Sequence, residues 1–390
     1  MLTPSQEHLI EATAPVVAEH LETITARFYP ILFDRYPEVQ ALFNVSHQAS
    51  GDQARALAAG VLRYVGLRKQ PPAASEAMTA AISKHVSLGI QPEHYPMVGE
   101  CLMAAIGEVL GDAVTPDIAD AWAELYNELA ELLIDAEQRV YQDFASRPGG
   151  WQGLRRFRVA RRRSESAVIT SFELEPVNGA EVAAFEPGQY VGVRLIINGQ
   201  PTYRHYSLSD VPNGHSYRIS VKREDTGHVS RFLHDHATED FELDLLPPAG
   251  NLTLQGDEPL LLISGGVGQT PLLPMAKHAV SEGRPVVYLH AARDPDHHAF
   301  QSELSELSGH YPDHFRAVVM YETAPENTCA DYLGRVTPDI IGACLPTAQA
   351  RCYFVGPQGF MTAVNNSLEA LGIPQARRHY EHFGPSRPLG

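Results

Sequence analysis

Hydrophobic spacing changes character once along this chain, at Arg147-Pro148-Gly149-Gly150. Before that linker, apolar residues recur at steps of three and four; after it they come in short runs and alternations. The first side therefore reads as all-α, and the second as β-rich giving way to α/β. At 390 residues the chain is too long for a single core, and domains are expected at 1–147, 148–256 and 257–390.

The helical side opens with Thr3, Pro4 and Gln6, a capping-box start with proline at the first helical position. Leu9 or Ile10, Val17, Leu21, Ile24, Phe28, Ile31 and Leu32 keep a helical period, with Pro15 expected at a kink and Pro30 at a break. Tyr29 ends that stripe, and Phe43 precedes a polar loop. Gln53 then heads a face shared by Leu57, Val61 and Tyr64 on a helix expected to reach Arg68. Met78, Ala81, Ile82, His85 and Leu88 share another face, so His85 stands in line with apolar side chains. A further helix carries Tyr95, Val98, Leu102, Ala105 and Val109. The last opens at Thr115-Pro116, with Trp122, Leu125, Leu129, Leu132, Leu133, Ala136 and Val140 as its buried line and Glu137 inside it.

Each polar residue on these faces has an ordinary structural account. A core histidine bonded to a nearby carbonyl or carboxylate explains His85 on its own helix better than a metal does, and tyrosines are often half-buried. Together, Tyr29, Gln53, His85, Tyr95 and Glu137 can supply a metal-bound imidazole, a carboxylate to orient its second nitrogen, and hydrogen-bond donors for a ligand on the opposite side.

Charge and cysteine usage narrow the partners. A formal net charge of -17 argues against nucleic acid and against stable membrane association, because both need clustered cations. Arg161, Arg162 and Arg163 form the one compact basic run, explained by a solvated strand end. Cys101, Cys329, Cys344 and Cys352 show no C-x-x-C spacing, and the start of the sequence is unlike a signal peptide, so a cytoplasmic location is expected.

After the linker, Ile169–Leu174, Gln189–Leu195, Tyr203–Leu208 and Tyr217–Val221 read as strands, with Asn198-Gly199 as a hairpin turn, and predict a small antiparallel barrel. Pro187-Gly188-Gln189-Tyr190 and Arg204-His205-Tyr206-Ser207 resemble the flavin-binding strands of the ferredoxin-reductase-like family. In that motif the arginine pairs with the cofactor diphosphate, the tyrosine borders the isoalloxazine, and the serine hydroxyl bonds the flavin. Gly227, His228, Val229 and Ser230 begin a short helix whose N–H groups suit phosphate. Further on, Leu260–Ile263 is a buried-strand run followed by Gly266, Val267, Gly268, Gln269, Thr270 and Pro271 and an apolar helix, the order of a pyrophosphate cradle. Val286–His290, Phe315–Tyr321 and Arg351–Val355 supply the remaining strands of an α/β parallel sheet. His234-Asp235-His236 and Asp294–His298 are expected to be solvated loops, since neither has a second ligand pair at zinc-site spacing.

Taken together, these motifs resemble the flavohaemoglobin family over roughly residues 3 to 386. The resemblance implies a globin domain, an FAD barrel and an NAD(P) domain in one chain, carrying haem b, FAD, and NADH or NADPH. It implies nitric oxide dioxygenation: NAD(P)H reduces FAD, FAD reduces the haem iron, and NO and O2 become nitrate. By the same resemblance His85 is the proximal iron ligand, with Glu137 and Tyr95 as a relay behind it. Tyr29 and Gln53 face the bound gas, Phe43 packs on the haem with Leu57, and Lys84 lies near Glu381 where flavin and haem edges approach. Phe383 stacks on the flavin within the covering segment Glu381-His382-Phe383-Gly384-Pro385, and Gly356-Pro357 form the second nucleotide motif. Val355 stands where the family usually has cysteine, and His382 is a similar departure. A monomer is expected. Two other classes stay open on the residues alone: a haem-based O2 or NO sensor using only the first domain, and a flavin or ferric reductase using only the later two.

Overall fold

The computed structural model describes residues 2–42, 52–325, 328–383 and 389. The chain resolves into two compact units, Met1–Ser146 with Leu195–Tyr203, and Arg147–Arg194 with Arg204–Gly390. Among the described residues no helix is long and apolar enough to cross a membrane.

Apart from Leu195–Tyr203, a strand hairpin described below with its sheet, the first unit is helical. α1 (Pro4–Glu19) starts at the capping box, in which Thr3 Oγ1 accepts from Gln6 N at 3.3 Å and Gln6 Oε1 accepts from Thr3 N at 2.9 Å. α2 (Leu21–Arg35) follows with Ile24, Phe28, Ile31 and Leu32 buried. The break falls at His20, not at Pro30. The His20 ring bonds Val16 O at 3.0 Å where α1 ends, while the packed face around Pro30 keeps α2 continuous. α3 (Asp52–Leu67), α4 (Pro71–Leu88), α5 (His94–Leu110) and α6 (Pro116–Ser146) complete the unit. Trp122 anchors the core from α6, and its indole N–H reaches Thr13 Oγ1 at 2.9 Å, so a large ring is buried, worth about 3 kcal/mol, with no orphaned donor. The buried line of α6 does not include Val140, which is 44% exposed; it runs from Leu133 through Glu137 to Tyr141 and Phe144. Steps of four, four and three keep pace with the helical turn where a longer run through Val140 falls behind it.

In the second unit the strands β1 (Arg155–Ser164), β2 (Ile169–Pro176), β3 (Tyr190–Ile197), β4 (Gln200–Ser207), β5 (Tyr217–Lys222) and β6 (Glu242–Leu245) form a six-stranded antiparallel sheet in the order β4-β3-β6-β1-β2-β5. A bridge between Leu208 and Ile219 ties the two ends of that order together, giving the expected barrel. Asn198 and Gly199 both take positive φ, 53° and 77°, as a two-residue hairpin turn requires. β1 and β6 were not expected. The arginines of β1 hide its alternation, since only Phe157 and Val159 are buried there, and β6 is four residues long. The basic run at Arg161–Arg163 is the exposed end of β1, as expected.

The remaining strands, β7 (Leu260–Gly265), β8 (Val286–Ala292), β9 (Phe315–Tyr321), β10 (Tyr332–Leu333), β11 (Arg351–Val355) and β12 (Arg378–Tyr380), form a parallel sheet in the order β10-β9-β8-β7-β11-β12. β7 is buried along its whole length, as a central parallel strand must be. α8 (Gln269–Ser281), α9 (Gln301–His310), α10 (Pro338–Cys344) and α11 (Gln358–Ala370) accompany it. The two histidine-rich pieces are not solvated loops. His234 and His236 end a helix, α7 (His228–His236), where His234 Nε2 bonds Val221 O at 2.8 Å. His298 follows a 3-10 turn and is 4% exposed.

Candidate functional site

α4 ends at Gly89, whose φ of 70° lets Gly89 N reach Val86 O and Ile90 N reach His85 O, each at 3.0 Å. The cap places His85 in the last helical turn. His85 Nδ1 lies 2.7 Å from Glu137 Oε1 and 3.0 Å from Tyr95 Oη, and Tyr95 donates to the same carboxylate oxygen at 2.6 Å. Three helices thus converge on one imidazole. Glu137 is 2% exposed, so its two bonds form in a dry setting. With Nδ1–H given to Glu137, Nε2 keeps its lone pair, the form a metal ligand needs. Burial first, then the bond to Glu137, pushes the Tyr95 phenol far up, so it stays a proton donor.

Two further tyrosines brace this arrangement. Tyr126 donates to Tyr95 O at 2.8 Å, and Tyr141 donates to Ile90 O at 2.9 Å. Tyr126 lies so close to α5 that a Cβ on Gly99 would stand 2.5 Å from its ring. Sequence reasoning passed over both tyrosines, because tyrosine within an apolar stripe reads as core. Among the described residues no group of three or more His, Cys, Asp or Glu could hold a metal. A lone imidazole therefore fits an ion that brings its other ligands with it, as the iron of a porphyrin does.

Tyr29 is half-buried, with its ring 4.9 Å from Phe28 and 5.7 Å from Phe33, and burial pushes its phenol far up. Leu57 is partly buried against the same helical core, and Lys84 is exposed. Phe43, Gly384 and Pro385 lie outside the described residues, and Gln53, in the first turn of α3, lies outside those whose side chains are described.

In the barrel, Arg204, His205, Tyr206 and Ser207 end β4, so Arg204 and Tyr206 share one face and His205 and Ser207 the other. Burial lowers the Arg204 guanidinium and raises the Tyr206 phenol. An anion beside Arg204 would offset that cost. Tyr190 and His205 meet edge to face at 5.0 Å, and Gly250 leaves room for the tyrosine, since a Cβ there would lie 2.9 Å from its ring. α7 begins at Gly227 with no side chain capping it, leaving its first N–H groups open to an anion. Val229 is buried beneath that end, and Ser230 Oγ accepts from Glu224 N at 3.2 Å. Glu381 and His382 are half-buried after β12, and Phe383 is 50% exposed, an aromatic face of the kind a flavin ring covers.

The nucleotide turn is shaped by its glycines. Gly266 has φ 54° with open space where a Cβ would project, whereas a Cβ on Gly268 would stand 2.1 Å from Val355 O. Because β7 pairs with β11 through Ser264 and Val355, the Gly266 turn and Gly356-Pro357 emerge side by side. α8 and α11 both begin there with no side-chain cap. Within the turn Gly266 and Val267 are open to a ligand, and Gln269, Thr270 and Pro271 are buried beneath it. Behind the turn, His290 Nδ1 meets Ser264 Oγ at 2.8 Å, and its ring lies 4.5 Å from that of His298. Burial pushes His298 down to about 4 and His290 well below its usual range, so both are neutral.

The globin profile matches residues 26–133, and the oxidoreductase NAD-binding domain profile matches residues 262–366. The chain is 46% identical over 394 residues to the flavohemoprotein of Pseudomonas aeruginosa, covering 100% of both. Its structure is similar to that of a flavohemoglobin from Malassezia yamatoensis with bound FAD and heme, with TM-score 0.85 and 28% identity over 98% of this chain and 100% of that one. The FAD/NAD binding domain of nitric oxide dioxygenase from Vibrio cholerae matches with TM-score 0.54 and 36% identity, over 59% of this chain and 99% of that domain.

Proposed function

The chain belongs to the flavohaemoprotein family, and from that premise we propose how its own residues carry the family's reaction. It is an NAD(P)H-dependent nitric oxide dioxygenase using haem and FAD: two NO and two O2 with one NAD(P)H give two nitrates, NAD(P)+ and a proton. When bound, FAD divides the electron pair of the hydride into single electrons, and haem iron is where O2 and NO combine. The observation that carries the reading is the His85–Glu137–Tyr95 triad, which fixes one imidazole for a metal and backs it with a buried carboxylate.

In this reading His85 holds iron through Nε2. Glu137 accepts a charge-assisted hydrogen bond from Nδ1–H and makes the ring more electron-donating. Tyr95 keeps the carboxylate in place, and Tyr29 and Gln53 would donate hydrogen bonds to a diatomic ligand, the Tyr29 phenol staying protonated because burial raises it. Phe43, Leu57 and Lys84 complete the haem surroundings. Arg204 pairs with the FAD diphosphate at the open start of α7, through Gly227, Val229 and Ser230. Tyr190, His205, Tyr206 and Ser207 border the flavin, and the segment Glu381, His382, Phe383, Gly384, Pro385 covers it. Gly266, Val267, Gly268 and Gly356-Pro357 cradle the nucleotide, with Gln269, Thr270 and Pro271 supporting the turn from below. The functional division is 1–147, 148–256 and 257–390. The four unpaired cysteines suit a reducing cytoplasm, and a monomer suffices for the electron path.

The test is an anaerobic spectrum before and after NADH, followed by O2 and NO with nitrate measured. Bleaching of the flavin band, a shift of the Soret band, and nitrate formed as NADH and NO disappear are expected. Flavin reduction with iron left ferric would favour a reductase, and a reduced iron that forms no nitrate would favour a gas sensor.

A further inference from the structure

Glu303 lies in the first turn of α9, in the nucleotide domain, and is 8% exposed, yet most of its partners belong to the barrel. Its Oε1 accepts from Arg163 Nη2 of β1 at 2.5 Å and from Arg218 Nη1 of β5 at 2.7 Å. Its Oε2 accepts from Arg218 Nη2 at 3.0 Å and pairs with Lys277 Nζ of α8 at 2.6 Å. Lys277 in turn bonds Asp210 Oδ1, just past β4, at 2.6 Å. The Arg218 guanidinium lies 5.4 Å over the ring of Phe300, the residue before α9, which takes the left-handed φ of 58° that side chains rarely adopt. Beside this cluster the seam is not packed solid: a cleft of about 500 Å³ opens between Val211, Pro212, Lys277, Leu307 and Tyr311. Apolar packing shares the seam, with Ile169 of β2 in one buried cluster with Phe300 and Leu304, and the ions add direction to it.

A buried ion network is weak evidence for stability and better evidence for a defined geometry, because its bonds survive only at one placement of the elements that supply them. The step that needs such placement is hydride transfer. There the C4–H bond of dihydronicotinamide breaks and its electron pair moves with the hydrogen to the flavin, which takes a proton from solvent to complete its reduction. Reacting atoms must approach to about 3–3.5 Å, and a misplacement of about 1 Å can cost about 100-fold. The flavin sits on the barrel and the nicotinamide on the parallel sheet, the two parts that Glu303 joins. We propose that Glu303 is a positioning residue for hydride transfer, pinning α9 to β1 and β5 so that the nicotinamide meets the flavin in register. The proposal rests on the dioxygenase reading above.

The test uses the full chain loaded with haem and FAD, as parent, Glu303→Gln and Lys277→Gln. Stopped-flow flavin reduction is followed anaerobically with NADH and with NADH deuterated at C4. In parallel the flavin is reduced photochemically and haem reduction is followed, a path that needs no nicotinamide. Both variants are expected to keep FAD and to reduce it at least tenfold more slowly at saturating NADH. NADH affinity should stay within threefold, the isotope effect should rise, and the photochemical path should be unchanged. Limiting rates within twofold of the parent would overturn the proposal, and so would an equal slowing of the photochemical path, which would mark the cluster as general support. If Glu303→Gln does not fold, Lys277→Gln carries the same comparison. A parent whose flavin NADH does not reduce would overturn the dioxygenase reading and this proposal together; a fast parent with unaffected variants would overturn the proposal alone.

Discussion

Replacing Glu137 by glutamine keeps the shape of the triad and removes its charge. Both bonds at Oε1, from His85 at 2.7 Å and Tyr95 at 2.6 Å, then end on a neutral amide oxygen. A hydrogen bond to a charged group contributes about 1.5–3 kcal/mol and a neutral one about 0.5–1.5, so the His85 bond weakens by about 1.3 kcal/mol. With iron on His85 as proposed, the buried anion would favour ferric over ferrous iron, because it stabilises the more positive state through the imidazole. Its loss should raise the haem midpoint potential by about 60 mV, the one-electron equivalent of that energy. Tyr95→Phe is the control: it leaves the carboxylate charged and relieves it of one donor, so the potential should stay level or fall. Spectroelectrochemical titration of the Soret band measures both. An unchanged or lower potential in Glu137→Gln, with haem still bound, would refute the argument.

Three other perturbations have defined outcomes. Burial alone would raise the Glu303 carboxyl, but the bonds and charges of Arg218 and Lys277 outweigh it and hold it at about 2, below the ordinary 4.5. That difference contributes about 3 kcal/mol, fully present above about pH 4.5 and lost as pH falls toward 2; Glu303→Gln should therefore flatten the acid limb of a chemical-denaturation series. Gly268→Ala drives a Cβ to 2.1 Å from Val355 O and should cost about 3 kcal/mol or more, whereas Gly266→Ala meets open space and only its φ of 54° opposes it, at about 1 kcal/mol. Flavin release on heating ranks the two. Tyr126→Phe removes the bond to Tyr95 O and should cost about 1 kcal/mol of urea stability in the helical unit.

Much of this was legible from local pattern. Period-3.6 stripes placed the helices, and His85, Tyr95 and Glu137 stood out as polar side chains on apolar faces; the structure brings those three within hydrogen-bond reach of one another. What local pattern missed depends on distant partners. Glu303 is an ordinary surface glutamate on a short helix until Arg163 and Arg218, 140 and 85 residues away, are folded against it. His298 looked like loop because Pro295 and three polar neighbours surround it, yet its ring finds His290 across the strand end. Pro30 misled in the opposite direction, since tertiary packing along α2 outweighed one missing N–H.

β12 is three residues long and parallel to β11, and only two residues separate its last member, Tyr380, from Phe383. That is at most about 10 Å of chain, too short to swing as an independent flap. Phe383 is therefore tethered to the sheet that holds the nucleotide and not to the barrel that holds the flavin. Any slip of that sheet drags the aromatic with it, like a shutter on the same shaft as the feed. If Phe383 covers the flavin as proposed, the cover and the nucleotide site are parts of one sheet, and the barrel only receives them.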